Sequence, residues 1–178
     1  MPLVHQPAYW PAMSLESAAR PGPLDPPLER KPRASIHLVN KLSFAVVDNR
    51  GTVELVPVVD GIPLTHLVQN YESAHGMRPA GAYAGLIPAH FNFGDLTTYY
   101  LGQNERQWPE TGRMWLLGYN CGEVGCWPLE VTTTVVDGQV WWTDFRQPHR
   151  PAWDYTAFGP FTFDETQYRD AVAEATTA

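Results

Sequence analysis

The chain has 178 residues, 44% of them apolar and 17% charged, which suits one folded domain with or without a tail. A formal net charge of -7 argues against a nucleic-acid backbone or an anionic membrane surface as the main partner, because either would repel the protein at long range. A protein partner or a small neutral ligand fits that charge better.

The start, MPLVHQPAYWPAMS, has neither a basic leading region nor an unbroken apolar stretch, and no run approaches the roughly 18 apolar residues of a membrane span. The expected location is the cytoplasm, where both cysteines would stay reduced. Eight of the 17 prolines lie before residue 33, where missing amide donors and fixed φ angles oppose continuous helix or sheet. Residues 1–33 are therefore read as an extended or disordered tail, with Tyr9 and Trp10 able to serve as a docking peptide, and 34–178 as a single α+β domain.

Along that domain, ASIHLVNKLSFAVV and TVELVPVV are rich in β-branched residues and flank DNRG, predicting two antiparallel strands joined by a four-residue loop. Asp60-Gly61 turns the chain, and Pro63 opens a helix in which Leu64, Leu67, Val68 and Tyr71 recur at helical spacing until about His75-Gly76. Residues 77–112 are poorly patterned; Asp95 is a plausible N-cap for LTTYYL, and His90, among Phe91, Phe93 and Leu86, is expected to pack against a hydrogen-bond partner. RMWLLGYN and PLEVTTTVV then read as strands around CGEVGC, and VVDGQV as a hairpin on Asp137-Gly138. That hairpin places Val135 opposite Val140, Thr133 opposite Trp142 and Val131 opposite Asp144, so Val131, Val135, Val140 and Trp142 form the expected core face. Finally, FDETQYRDAVAEA announces a helix: Asp164 caps, Gln167 returns the bond, Phe163 staples onto Tyr168, and Tyr168, Val172 and Ala175 dock on the sheet. The expected architecture is a mainly antiparallel sheet of about five strands carrying two or three helices.

Two segments concentrate chemistry. In CGEVGCW, a four-residue hairpin loop would set Cys121 and Cys126 in opposed strand positions, close enough for a disulfide, with Gly122 and Gly125 bending amides toward the sulfurs and lowering a thiol pKa. The pair could be a reversible disulfide, a thiolate nucleophile, half a zinc site, or a tight turn with two thiols and no chemistry. Zinc would need His149 and one of Glu123, Asp144 or Asp154 to complete its four ligands. In QPHRPAWDY, prolines hold the backbone stiff, so His149 could move a proton, Arg150 could grip a carboxylate or phosphate, and Asp154 could orient either. The structural alternative pairs Arg150 with Asp154 and stacks it on Trp153. Six of the seven tryptophans lie after residue 107, and Trp127 beside the cysteine loop could line a pocket.

The run LLGYNCGEVGCWPL, followed by VWWTDFRQPHRPAWDY and GPFTFDETQY, resembles an uncharacterised family of small bacterial proteins that share a CG-x-x-GCWPL stretch and an F-x-QPHR-x-x-WDY stretch. This chain departs from that pattern in carrying Tyr119 where the family has a further cysteine. The resemblance implies that Cys121, Cys126, His149 and Arg150 belong to one recurring pattern, and it implies no activity. No GxSxG, HExxH or Walker loop is present. A non-catalytic binding or protein-interaction domain without a cofactor is therefore the expectation, and a thiol- or zinc-dependent enzyme joining the cysteine loop to the QPHR segment is the alternative. The candidate site is Cys121, Glu123, Cys126, Trp127, His149, Arg150 and Asp154.

Overall fold

The computed structural model describes residues 39–103, 109 and 112–177; the proline-rich segment with Tyr9 and Trp10 lies outside the described residues. The elements follow as β1 (Leu42–Asn49), β2 (Thr52–Val59), β3 (Ile62–Pro63), α1 (Leu64–Ala74), β4 (Tyr83–Ala84), α2 (Leu96–Tyr100), β5 (Arg113–Tyr119), β6 (Leu129–Val136), β7 (Gln139–Arg146), β8 (Phe161–Asp164) and α3 (Glu165–Thr177). They form an α+β fold of two antiparallel sheets, β1-β2-β3 and β4-β5-β6-β7-β8. Single bridges link the sheets at both ends: Asn40 pairs with Phe163 of β8, and Leu55 of β2 with Leu86 just beyond β4. The strands thus succeed one another around a nearly closed ring, and its core gathers Leu42, Tyr100, Leu116, Val131, Val140, Trp142, Phe163 and Tyr168.

The β1-β2 hairpin turns on Arg50 and Gly51 alone, both at positive φ, so the strands run through Asp48 and Asn49 and the expected four-residue loop is in fact two residues. Backbone twist explains this, since a two-residue turn of this hand matches the strands it joins. The β6-β7 hairpin has the expected turn at Asp137-Gly138, with Val135 opposite Val140 and Thr133 opposite Trp142. Farther along, the predicted pairing of Val131 with Asp144 fails because a β-bulge shifts the register, and Glu130 instead faces Arg146. Asp144 takes a left-handed φ of 52° there, which re-aims its side chain toward Arg113. Gly138 has φ +74° with open space around it, so Gly138→Val should cost about 1 kcal/mol or more through backbone strain alone. An unchanged urea midpoint would show that the turn relaxes freely.

Pro63 stands at the N-cap of α1 and His75 at its C-cap, as the sequence predicts. The buried stripe of that helix is Leu64, Val68 and Glu72, while Leu67 and Tyr71 are only partly buried. Asp95 does cap α2, accepting from Thr98 N at 2.8 Å. His90 is exposed and bonds locally through its backbone N–H to Ile87 O, unlike the packed histidine expected. At α3, Asp164 accepts from Gln167 N at 2.9 Å, but the Gln167 side chain does not return the bond. It reaches Leu42 instead, accepting from its N–H and donating to its carbonyl, and so ties the last helix to the first strand. Tyr168, Ala171, Val172 and Ala175 are buried on the sheet. Among the described residues no helix is long and apolar enough to cross a membrane.

Candidate functional site

The cysteine loop is longer than a tight hairpin. The last residue pair between β5 and β6 is Leu117 with Leu129; Gly118 and Tyr119 pair with β4 instead, so residues 120–128 form the connection, with Val124–Cys126 as one turn of 3-10 helix within it. Cys121 and Cys126 therefore do not occupy opposed strand positions, and the disulfide geometry expected from strand pairing does not follow. Gly122 has φ +91°, and a Cβ there would meet His90 Nδ1 at 3.0 Å; Gly125 shows no positive φ, so only one of the two glycines bends the loop as expected. Both thiols are free and exposed.

Partial desolvation, a hydrogen bond and repulsion from Cys121, and the charge of Glu123 push the Cys126 thiol above its ordinary value. This reverses the expectation of an activated thiolate. The alkylation rate of Cys126 should accordingly titrate with a midpoint above the free-cysteine range of about 8.5, and Cys121→Ser should bring the midpoint down. Iodoacetamide labelling followed by mass mapping reads both; a midpoint below the free-cysteine value would restore the nucleophile.

The QPHR segment lies against this loop. His149 Nε2 is 2.8 Å from Gly125 O, and the His149 N–H donates to Gln147 Oε1 at 2.7 Å. Arg150 places its guanidinium carbon 4.6 Å from the centre of the Trp127 ring and donates to His149 O at 3.0 Å. It neither pairs with Asp154 nor stacks on Trp153, as the structural alternative required. The described salt bridges are Arg113–Asp144, Arg146–Glu130 and Arg169–Glu165, and Arg150 takes part in none of them. Trp127 meets Trp153 edge to face, with ring centres 5.9 Å apart. Among the described residues, two buried donors near this corner also lack an acceptor: Trp127 Nε1 and Gln147 Nε2. Buried donors are nearly always paired, so two orphans beside a guanidinium that has no carboxylate partner among the described residues mark a corner short of acceptors.

Trp153 and Asp154 separate two clefts. One of about 480 Å³ is lined by Asp144, Phe145, Arg146, Tyr155 and Phe158, and one of about 570 Å³ by Tyr71, His75, Met77 and Arg78; Trp153, Asp154 and Thr156 line both. Asp154 accepts from Thr156 N at 2.8 Å, and that backbone bond, the Thr156 side chain and nearby His75 hold its carboxyl below the ordinary value against a small opposing effect of burial. Asp154 thus orients its own turn and neither Arg150 nor His149. Glu123 is exposed at the N-cap of the 3-10 turn, where its backbone carbonyl accepts from Cys126 N.

Sequence reasoning missed the buried group behind these clefts. Glu72 is fully buried and accepts from Gly81 N at 2.6 Å, from Tyr83 Oη at 2.9 Å and from Tyr155 Oη. Burial, reinforced by Tyr155 and Glu72, drives the Tyr83 phenol far upward; burial and the bond to Glu72 do the same for Tyr155. The signal was available: Leu64, Val68 and Glu72 repeat every fourth residue, which puts the glutamate on the apolar stripe.

No protein-family model, curated protein or solved structure matches the chain. The site is therefore read from its own chemistry. Among the described residues no three His, Cys, Asp or Glu side chains gather as a metal ion would require, so Cys121, Cys126 and His149 are not assembled into a zinc site. His149 Nε2 engages a backbone carbonyl one residue from Cys126, which places the imidazole as a clamp between the two segments.

Proposed function

We propose that the protein is a small non-catalytic binding domain, acting in the cytoplasm, whose recognition corner is formed by Trp127, Arg150 and Trp153. Its ligand presents a carboxylate next to apolar surface, as a segment of a protein partner or as a small molecule of no net charge. The observation that carries this reading is Arg150: its guanidinium is flattened on Trp127 with no carboxylate partner among the described residues. A guanidinium held against an indole is oriented in advance for two-pronged contact with a carboxylate, and it loses little freedom when one arrives. The net charge of -7 favours a ligand that is neutral overall, because long-range repulsion slows the encounter with a strongly acidic one; for a probe with a single carboxylate that repulsion is small at ordinary ionic strength and is outweighed by contact with the guanidinium.

The thiol-dependent alternative draws less support. A thiolate nucleophile needs a lowered pKa and a base within reach, whereas the Cys126 thiol is pushed up and His149 Nε2 already sits on Gly125 O.

Two small probes test the reading. N-acetyl-phenylalaninate and its amide differ only in the carboxylate, and both can be titrated while the indole N–H signal of Trp127 is followed by NMR. The acid should move that signal, with dissociation in the millimolar range expected of a fragment (about 4 kcal/mol). The amide should bind roughly tenfold or more weakly, and Arg150→Gln should erase the difference. Equal responses to acid and amide, or a preference that survives in Arg150→Gln, would remove the carboxylate from the account.

A further inference from the structure

Cys121 and Cys126 do not face each other across a ladder, yet their own loop brings them together. Two successive turns fold the chain back beside the end of β5: the Gly122 N–H donates to Tyr119 O at 2.9 Å, and the Cys126 N–H donates to Glu123 O at 3.3 Å. The loop closes so tightly that a Cβ on Gly118 would meet Val124 Cα at 3.1 Å. Cys121 lies inside the first turn, Cys126 ends the second, and a hydrogen bond joins their thiols. Both cysteines are exposed, so small reagents reach them. Cys121 also lines an open crevice of about 170 Å³ with Asn49, Arg50, His90 and Asn120, which leaves room for a small group attached to its sulfur.

We propose that Cys121 and Cys126 are a reversible dithiol–disulfide site whose co-reactant is a small disulfide of the glutathione class. In the first step a Cys121 thiolate attacks one sulfur of that disulfide: a bond forms from Cys121 Sγ to this sulfur, the S–S bond of the reagent breaks, and its other half leaves as a thiolate. In the second, Cys126 gives up its proton and its sulfur attacks Cys121 Sγ, displacing the remaining half as a second thiolate. The chain loses two protons and two electrons, and the small disulfide is reduced to two thiols.

Exchange of this kind proceeds at neutral pH through an ordinary thiolate fraction, so it needs neither a neighbouring base nor an activated thiol. Cys121 makes the first attack and Cys126 the second, because the Cys126 thiol, donating to its neighbour and facing the charge of Glu123, holds its proton longer. What the fold supplies is proximity. Two thiols already in contact close a ring with little loss of chain freedom, whereas two independent surface thiols would each keep their adduct. In a reducing compartment such a bond is transient, and the poise of the small-thiol pool sets its population. Neither Arg150 nor the Trp127 ring takes part in the exchange, so this site stands or falls separately from the carboxylate reading.

The test equilibrates the full chain in buffers of graded reduced and oxidised glutathione, quenches with acid, alkylates the remaining thiols and maps the products by mass spectrometry. The chain's two cysteines should pass together from the alkylated form to one internal disulfide, and dithiothreitol should return them. The balance point gives the effective concentration of one thiol at the other, which should be about tenfold or more higher in the native chain than in the same chain unfolded in urea. Cys126→Ser should stop after the first step, with one glutathione on Cys121, and Arg150→Gln should exchange like the parent; circular dichroism shows that each variant is folded. An effective concentration no higher in the native chain than in the unfolded one overturns the proposal. So does a native chain that carries glutathione on both cysteines in place of the internal bond, or a folded Cys126→Ser protein that takes up none.

Discussion

Replacing Glu72 with alanine should lower the stability of the fold by about 3 to 5 kcal/mol, the cost of breaking a buried polar network by removing its central member. Three donors depend on that carboxylate: the Gly81 N–H, the Tyr83 hydroxyl and the Tyr155 hydroxyl. Gly81 and Tyr83 belong to the chain entering β4 and Tyr155 to the segment after β7, so Glu72 holds α1 and those two segments at one point. Alanine leaves all three donors buried without an acceptor. Glu72→Gln should cost less, because its amide oxygen still accepts from the tyrosines while its NH2 confronts the Gly81 N–H. Urea denaturation of the three proteins gives the order directly. A loss below about 1 kcal/mol for the alanine variant would mean that water enters and satisfies the donors.

The second large effect is expected at Trp142. Its side chain is fully buried, its Nε1 donates to Tyr168 Oη at 3.0 Å, and its ring meets Phe163 at 4.7 Å and Tyr168 at 5.9 Å. Tyr168 Oη in turn donates to Tyr100 O, so the indole joins β7, β8, α3 and α2 through one contact group. Trp142→Ala should cost about 3 to 5 kcal/mol, from lost apolar burial, an unfilled cavity and a hydroxyl deprived of its donor. Trp142→Phe keeps most of the ring volume and should recover a large part of that loss. Equal destabilisation by alanine and phenylalanine would instead assign the effect to the hydrogen bond to Tyr168.

The strands and their turns were legible because local chemistry dictates them. Asp137-Gly138 needs positive φ at both residues, and β-branched residues on either side favour extended chain, so β6 and β7 follow from a dozen residues. Asp164 and Asp95 likewise declare the helices that they cap. What escaped was set by distant partners. Gln167 prefers Leu42 to its own cap because α3 lies beside β1, a neighbour 125 positions away in sequence. The bulge at Asp144 depends on Arg113 reaching across from β5, and no pattern within β7 announces it.

At the corner, sequence reasoning brought the right segments together and assigned the wrong contacts within them. The cysteine loop does meet the QPHR segment, through His149 and Gly125 and through Arg150 and Trp127. Residue types alone suggested that Arg150 would seek Asp154, four positions on. The turn from Arg150 to Trp153 instead leaves Asp154 to cap Thr156, and the guanidinium goes to an indole from another loop. The cysteines were misplaced for a related reason: C-x4-C looks like a closed hairpin, but residues 120–128 form a longer loop containing the 3-10 turn, and the ladder to β6 resumes only at Leu129.

The central claim is that Arg150, held on Trp127, receives a ligand carboxylate. The most direct measurement is a crystal structure of the protein grown with N-acetyl-phenylalaninate. The account predicts both carboxylate oxygens within about 3 Å of the Arg150 guanidinium nitrogens, with the guanidinium still lying on the Trp127 ring. A carboxylate bound elsewhere, or Arg150 drawn off the indole to pair with a carboxylate of the protein itself, would contradict it.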